Sequence, residues 1–126
     1  AADASVFEVA RKLNGLLDQV RRGKMTLENA EGGTFTLNNT GTLGSIWGGA
    51  IINYPQAAIL TTETITKRPI VVVDGGTDSI VVRSMMNICL SFDHRIIDGA
   101  EASEFMQSVK TGLESIDGSF DAGDME

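Results

Sequence analysis

The stretch Phe92-Asp93-His94-Arg95-Ile96-Ile97-Asp98-Gly99 contains the one histidine of this 126-residue chain. It follows an apolar run typical of a β-strand, and the carboxylate of Asp98 comes four residues after the histidine. The unperturbed pKa of a histidine, about 6.5, lets its side chain take up and release protons near neutral pH. The stretch therefore predicts a strand end that carries a candidate general base, His94, with Asp98 at the start of the next element.

Apolar residues alternate with polar ones on the N-terminal side of this stretch and predict one long strand over residues 78–92. Its apolar face is expected to carry Ile80, Val82, Met86, Ile88, Leu90 and Phe92. Asp74-Gly75-Gly76-Thr77 predicts a tight turn before it, and residues 69–73 predict the strand that leads into that turn. Strand formers are also concentrated in residues 34–38 and 57–65. The glycine-rich connection over residues 40–49 is expected to pack on another part of the molecule.

Two helices frame these strands. Ser5 and Glu8 have the spacing of a capping box, and the apolar residues that follow have helical spacing up to residue 22. Asp98 and Glu101 repeat the capping pattern before a second helix, whose apolar face is expected to carry Ala102, Phe105, Met106, Val109 and Leu113. The pattern predicts an α/β fold of the two-layer α+β kind, with a mixed β-sheet and helices packed on one of its faces.

Composition limits the classes of function. A chain of this length is expected to form one domain, and its net charge of −7, without a basic stripe, argues against nucleic-acid binding. One cysteine, Cys89, excludes an internal disulfide, and in its apolar strand a buried thiol is expected. No apolar run approaches the roughly 20 residues of a membrane helix, and no clustered ligands suggest a metal site. No signal segment is visible, although a chain that begins without methionine makes this weak evidence.

Four blocks of the sequence together resemble one family. Residues 92–99 contain the pattern His-x-x-x-Asp-Gly, residues 32–41 read GGTFTLNNTG, residues 50–60 read AIINYPQAAIL, and residues 67–69 read KRP. In this order the blocks are similar to those of the dihydrolipoamide acyltransferases of 2-oxo-acid dehydrogenase complexes. Chloramphenicol acetyltransferase has a related version of the histidine pattern. The resemblance implies a coenzyme A-dependent acyltransferase-like fold, and four blocks are far more specific than one motif.

The resemblance implies transfer of an acyl group from a dihydrolipoyl arm, which is carried on a separate domain, to coenzyme A. It assigns to His94 the role of general base on the coenzyme A thiol, and to Asp98 a role in orienting the site. Aspartate at a helix start is also a common N-cap, so capping alone remains an alternative for Asp98. The position of the family's usual hydroxyl donor to the oxyanion corresponds to Asn38. A carboxamide NH₂ can also donate a hydrogen bond, so the role remains chemically feasible.

The resemblance covers about the second half of the family's catalytic domain. We expect residues 1–115 to form that half and residues 116–126 to form an acidic, disordered tail. A proteolysed or cut piece is favoured over a separately encoded half or a partner chain that supplies the rest. By family analogy the intact protein is a homotrimer or higher oligomer, in which His94 of one subunit faces Asn38 of its neighbour. A single copy of this piece is then expected to be inactive.

The same analogy implies as partners the lipoyl domain, the decarboxylase and the dihydrolipoamide dehydrogenase of the complex. It implies a cytoplasmic location, or the mitochondrial matrix in a eukaryote. Two other functions stay open. A non-catalytic scaffold of such a complex is weakly favoured by the asparagine at residue 38 and disfavoured by the presence of His94 and Asp98. A stand-alone acetyltransferase for a small hydroxyl acceptor fits residues 51–60 and 67–69 less well.

Overall fold

The computed structural model of the chain describes residues 4–116. Its elements are α1 (Val6–Arg21), α2 (Leu27–Ala30), β1 (Thr36–Asn39), the 3₁₀ turn Gly41–Leu43, β2 (Ala58–Thr62), β3 (Thr66–Asp74), β4 (Thr77–Met85), β5 (Ile88–Phe92) and α3 (Gly99–Glu114). The described chain divides into two compact units, residues 4–33 with 110–116, and residues 34–109. The predicted acidic tail lies outside the described residues, apart from Ile116.

Helix α1 begins and ends as the sequence predicts. The Glu8 amide donates to Ser5 Oγ at 3.2 Å, and the Ser5 amide donates to Glu8 Oε2 at 2.9 Å, which completes the capping box. Gly23 ends the helix with φ +63°, a conformation that favours glycine, and its amide donates to the Val20 carbonyl. No side chain of α1 is buried, so its apolar stripe stays exposed within the described chain.

A three-stranded mixed sheet lies at the centre of the second unit. Its strand order is β1-β2-β5, with β1 and β2 parallel and β2 and β5 antiparallel. Strand β2 lies between the other two, and its residues Ala58, Ile59, Leu60 and Thr61 are all buried. A central strand that is covered on both faces reads as a nearly continuous apolar run, which explains the sequence AIL at its start.

The two faces of this sheet differ in chemistry. On one face Leu60 pairs with Leu90, and Ala58 pairs with Phe92. Ala58 and Leu90 line an apolar cavity of about 380 Å³ together with Phe105 of α3, so α3 lies over this face. The other face, here called the polar face, is defined by Thr36, Asn38, Ile59, Thr61, Glu63, Cys89 and Ser91. Period-2 alternation along each strand separates the two sets.

Residues 40–56, here called the covering loop, lie over the polar face. Thr36 Oγ1 is 2.6 Å from Gln56 Oε1, and a Cβ atom added at Gly49 would lie 3.7 Å from Ser91 Oγ. The loop is also held by Asn87, whose side-chain amide donates to the Ile46 carbonyl at 2.6 Å. The expectation that this glycine-rich segment packs on another part of the molecule is thus met.

The predicted single strand over residues 78–92 is wrong. Strand β4 ends at Met85 and pairs only with β3, while β5 begins at Ile88 and joins the three-stranded sheet. The break falls at Asn87, whose carbonyl accepts from the Glu63 amide and whose side chain binds the covering loop. The described chain therefore has two sheets, and the predicted shared apolar face does not exist, since Ile80 is 78% exposed.

The hairpin of β3 and β4 turns as predicted. Gly75 and Gly76 form its two-residue connection with φ values of +56° and +82°. Positive φ at both central positions is the geometry of the hairpin turns that match strand twist, and it requires glycine or a similarly permissive residue. An α+β fold with a mixed sheet is therefore confirmed, with the hairpin as a second, separate sheet.

Candidate functional site

His94 stands where β5 ends. The ladder between β2 and β5 continues one residue beyond Phe92, because the Asp93 amide donates to the Ala57 carbonyl at 2.8 Å. His94 then leaves the sheet and is exposed. Its ring lies 5.5 Å from the Phe92 ring, centroid to centroid, and no hydrogen bond to it occurs within residues 4–116. The imidazole is thus held by one aromatic contact and remains accessible.

A tight turn after β5 holds the backbone around His94. The Asp93 carbonyl accepts from the amides of Ile96 and Ile97, each at 3.0 Å. The Asp93 carboxylate accepts from Arg95 Nη2 at 2.6 Å and from the Arg95 amide at 3.0 Å. The side-chain hydrogen bond from Arg95, followed by its backbone one, lowers the pKa of Asp93 to about 2. Arg95 and Asp93 therefore form an ion pair within this turn.

Asp98 caps helix α3. Its Oδ1 accepts from the amides of Ala100 at 2.8 Å and Glu101 at 2.9 Å. The carboxylate of Glu101 in turn accepts from the Asp98 amide at 3.2 Å, which completes the predicted capping box. No hydrogen bond joins Asp98 to His94 in the described part of the chain. The capping role is confirmed, and it fixes where the turn containing His94 meets the helix.

Asn38 lies in β1, on the polar face of the three-stranded sheet. It is half-buried and pairs in register with Thr61, whereas its neighbour Asn39 is exposed on the opposite face. The Asn38 carbonyl accepts from Thr62 Oγ1 at 3.4 Å, so the backbone of Asn38 is tied to β2 beyond the ladder itself. Asn38 and Asn39 lie on opposite faces because side chains alternate along a strand.

His94 and Asn38 lie at opposite ends of this sheet. Asn38 is the register partner of Thr61 in β2, and Thr61 is the register partner of Cys89 near the beginning of β5. From there Asp93 is four residues further along and two strands across, so it lies roughly 16 Å from Asn38 at standard strand spacings. The chain does not bring the two candidate residues together. A site that used both would need a second copy.

Sequence reasoning missed a buried carboxylate next to Asn38. Glu63 follows β2, is 2% exposed, and accepts from Thr40 Oγ1 at 2.8 Å through its Oε2. Its Oε1 and the hydroxyl of Thr61 are buried and have no hydrogen-bond partner among residues 4–116. The signal was a charged residue three positions after the apolar run Ala58-Ile59-Leu60, since charged residues are rarely buried unless they are paired. Cys89 is half-buried rather than buried.

Comparison with known proteins identifies the family. The family model for 2-oxoacid dehydrogenases acyltransferase (catalytic domain) matches residues 1–120. The chain belongs to this family. Among curated members, the lipoamide acyltransferase component of the branched-chain alpha-keto acid dehydrogenase complex of Bacillus subtilis is 51% identical over 93% of this chain. The mitochondrial dihydrolipoyllysine-residue succinyltransferase component of the 2-oxoglutarate dehydrogenase complex of Saccharomyces cerevisiae is 41% identical over 90% of this chain.

Solved acyltransferase structures share the fold. A probable dihydrolipoamide acetyltransferase from Listeria monocytogenes superposes with a TM-score of 0.85 at 45% identity, over 95% of this chain and 50% of that one. Dihydrolipoamide acetyltransferase of Azotobacter vinelandii superposes with a TM-score of 0.80 at 29% identity. That enzyme was studied for the role of a serine, a histidine and an asparagine in its catalytic mechanism. That match covers 90% of this chain and 45% of that one.

This acyltransferase-family chain spans only part of its relatives. It covers 27% of the Bacillus subtilis protein and 24% of the yeast protein, and about half of the solved catalytic cores. The match is consistent with the predicted partial domain. Within residues 4–116 no helix is both long enough and apolar enough to cross a membrane.

Proposed function

We propose that this chain contributes to a dihydrolipoamide acyltransferase, which moves an acyl group from acyl-dihydrolipoamide to coenzyme A within a 2-oxo-acid dehydrogenase complex. The observation that carries the proposal is the accessible His94 ring, without a hydrogen-bond partner in residues 4–116, at a sheet end in a chain of this family. The similar proteins named above are acetyl-, succinyl- and branched-chain components, so the proposal names the reaction class and leaves the acyl chain open.

His94 acts as the general base in this proposal. A free thiol has a pKa near 8.5 and is mostly protonated at neutral pH, so the imidazole removes the proton of the coenzyme A thiol as its sulfur attacks the thioester carbonyl. The new carbon–sulfur bond forms, and the carbonyl oxygen takes the negative charge. When the intermediate collapses, the bond to the dihydrolipoyl sulfur breaks, and that sulfur takes the proton from the imidazolium. No bond between protein and acyl group is needed.

Asn38 supplies the oxyanion donor, and it comes from a neighbouring subunit. The separation of roughly 16 Å between Asp93 and Asn38 supports this arrangement, because the two groups reach one substrate only across an interface between copies. The carboxamide NH₂ of Asn38 donates to the oxygen that becomes charged. The half-buried position of Asn38 on the polar face supports the role, since its backbone is fixed before substrate binds.

Asp98 holds the turn of His94 in place through the start of α3. The histidine and the asparagine that were studied in the Azotobacter enzyme are four positions apart, as are His94 and Asp98. An asparagine oxygen can accept the same two amide bonds that Asp98 accepts here. This supports a positioning role for Asp98 in addition to capping.

The proposed working assembly is a homotrimer or higher oligomer. Solved relatives include the cubic core of a pyruvate dehydrogenase multienzyme complex, which supports assembly into such a core. The proposed partners are the lipoyl domain that carries the acyl group, the decarboxylase that loads it, and the dihydrolipoamide dehydrogenase that reoxidises the arm. The proposed location is the cytoplasm, or the mitochondrial matrix in a eukaryote.

The test replaces His94 with alanine in the assembled acyltransferase and measures acyl-coenzyme A formed from acyl-dihydrolipoamide. Turnover is expected to fall by about 10²–10⁴-fold, the usual scale for loss of a general base. Glu104→Ala, an exposed position on α3, is the matched control and leaves turnover unchanged. Equal turnover of His94→Ala and the control, with assembly intact, contradicts the proposal. An assembled wild-type protein that forms no acyl-coenzyme A indicates a scaffold role instead.

A further inference from the structure

Glu63 is the most deeply buried ionisable group in the described chain, and the proposed mechanism gives it no role. It lies on the polar face, directly after the end of β2 and two residues after Thr61, which is the register partner of Asn38. A Cβ atom added at Gly48 would lie 3.6 Å from Glu63 Oε1, so this oxygen faces the covering loop. A buried acceptor without a partner destabilises a fold, and each such group calls for a functional explanation.

Glu63 is linked to Asn38 by a short chain of contacts. Its Oε2 accepts from the hydroxyl of Thr40, whose amide donates to the Thr62 carbonyl at 3.1 Å. Thr40 directly follows β1, two residues after Asn38, and its hydroxyl reaches the Glu63 carboxylate on the polar face. The carboxylate therefore fixes the end of β1 on the side that carries Asn38.

The backbone after Thr40 leaves no room for this end of β1 to shift toward β2. A Cβ atom at Gly41 would lie 2.5 Å from the Glu63 carbonyl oxygen, and Thr64 Oγ1 donates to the Gly41 carbonyl at 2.7 Å. The Gly41 amide donates to Asn39 Oδ1 at 3.0 Å. The turn that follows Asn38 is thus seated directly on the backbone of Glu63 and Thr64.

We propose that Glu63 is a positioning residue that sets the orientation of Asn38 through Thr40 and the covering loop. The inference rests on the proposed function, in which Asn38 donates to the oxyanion. Misplacing a donor by about 1 Å can cost on the order of 10²-fold in rate, so a residue that fixes such a donor affects the chemical step without touching substrate. Glu63 acts on kcat, because the oxyanion contact forms only in the transition state.

The experiment measures kcat, and KM for coenzyme A, in the assembled acyltransferase for three variants. Glu63→Ala is expected to lower kcat by about 10–100-fold with KM changed by less than about twofold, since only a contact of the transition state is lost. Glu63→Gln keeps an acceptor for the Thr40 hydroxyl and stays within about threefold of wild type. Thr40→Val removes the hydroxyl that donates to Glu63 and is expected to lower kcat by about 3–10-fold.

Two controls match these changes. Glu104→Ala removes an exposed glutamate from α3, and Thr77→Val removes an exposed threonine hydroxyl at the hairpin turn. Both leave kcat at the wild-type value. If Glu63→Ala does not assemble, Thr40→Val and Glu63→Gln test the positioning role. Each changes only one partner of the hydrogen bond between the Thr40 hydroxyl and the Glu63 carboxylate.

Double variants separate this inference from the proposed function. In an Asn38→Ala background, Glu63→Ala is expected to lower kcat by less than about twofold further, because Glu63 acts only through the donor that is already absent. The positioning role of Glu63 is overturned if Glu63→Ala lowers kcat as strongly in the Asn38→Ala background as it does in the wild type. It is also overturned if both Glu63→Ala and Thr40→Val leave kcat unchanged. Neither result contradicts the proposed function. An Asn38→Ala protein with wild-type kcat overturns the oxyanion assignment itself, whatever the Glu63 variants do.

Discussion

Two inactive variants are expected to restore each other's activity. His94→Ala removes the proposed base, and Asn38→Ala removes the proposed oxyanion donor. If the two groups served one site within a single chain, every chain of a mixture would lack one of them. The sheet register places them at opposite ends of β1-β2-β5, so under the proposed mechanism each site combines groups from two copies.

The size of the recovery follows from this geometry. In a ring of identical contacts, each site takes His94 from one subunit and Asn38 from the next. Random assembly of equal amounts of the two variants gives an intact pair at one site in four, so about 25% of wild-type kcat per site is expected. Each variant assembled alone is expected to be lower than wild type by at least about 10²-fold.

The assay dissociates the two purified variants, mixes them, reassembles them, and follows acyl-coenzyme A formation. Native mass spectrometry of variants that differ in mass verifies that the assemblies are mixed. A mixture of wild type with His94→Ala calibrates the method, because half of its sites keep the histidine under any geometry. If verified mixed assemblies recover no more activity than either variant alone, the argument from sheet register is refuted.

Three further predictions concern stability and titration. Gly41→Ala places a Cβ atom 2.5 Å from a backbone oxygen and is expected to lower the free energy of unfolding by about 1–3 kcal/mol or more, which a lower thermal midpoint would show. Gly112→Ala, in open space on α3, is expected to raise the thermal midpoint. Arg95→Ala is expected to return the pKa of Asp93 from about 2 toward 3.8, measured by carboxyl NMR. Because the folded-state pKa is lowered, the stability that this pair contributes is present above pH 3.8 and lost as pH falls through about 2. Asp98→Ala is expected to cost about 1 kcal/mol in urea unfolding, and Asp98→Asn much less, since its oxygen accepts the same amides.

Local signals predicted the helices well and the strand pairing poorly. The capping boxes at Ser5 and Asp98 depend only on residues three apart, so the sequence contains the whole interaction. The break between β4 and β5 was missed because the apolar alternation stays in phase across residues 86–87. Pairing partners decide where such a strand divides, and Asn87 is bound to residues far away in sequence.

Family resemblance predicted the candidate residues and their placement on neighbouring subunits, but the sequence pattern did not predict their separation within one chain. Family resemblance selected His94, Asp98 and Asn38. The distance between Asn38 and His94 depends on strand order and on one antiparallel pairing, which no local pattern encodes. Glu63 was missed for the same reason, because its burial results from a loop that folds over it from elsewhere in the chain.

Under the proposed mechanism, activity depends on assembly, because His94 follows one end of the sheet while Asn38 lies on the polar face near the other end. Specific activity then rises steeply with protein concentration and vanishes on dilution, even when each chain keeps its fold. Newly synthesised chains cannot discharge a thioester until they have met their neighbours. In the proposed mechanism, oligomerisation thus prevents a single chain from releasing acyl groups before the complex has formed.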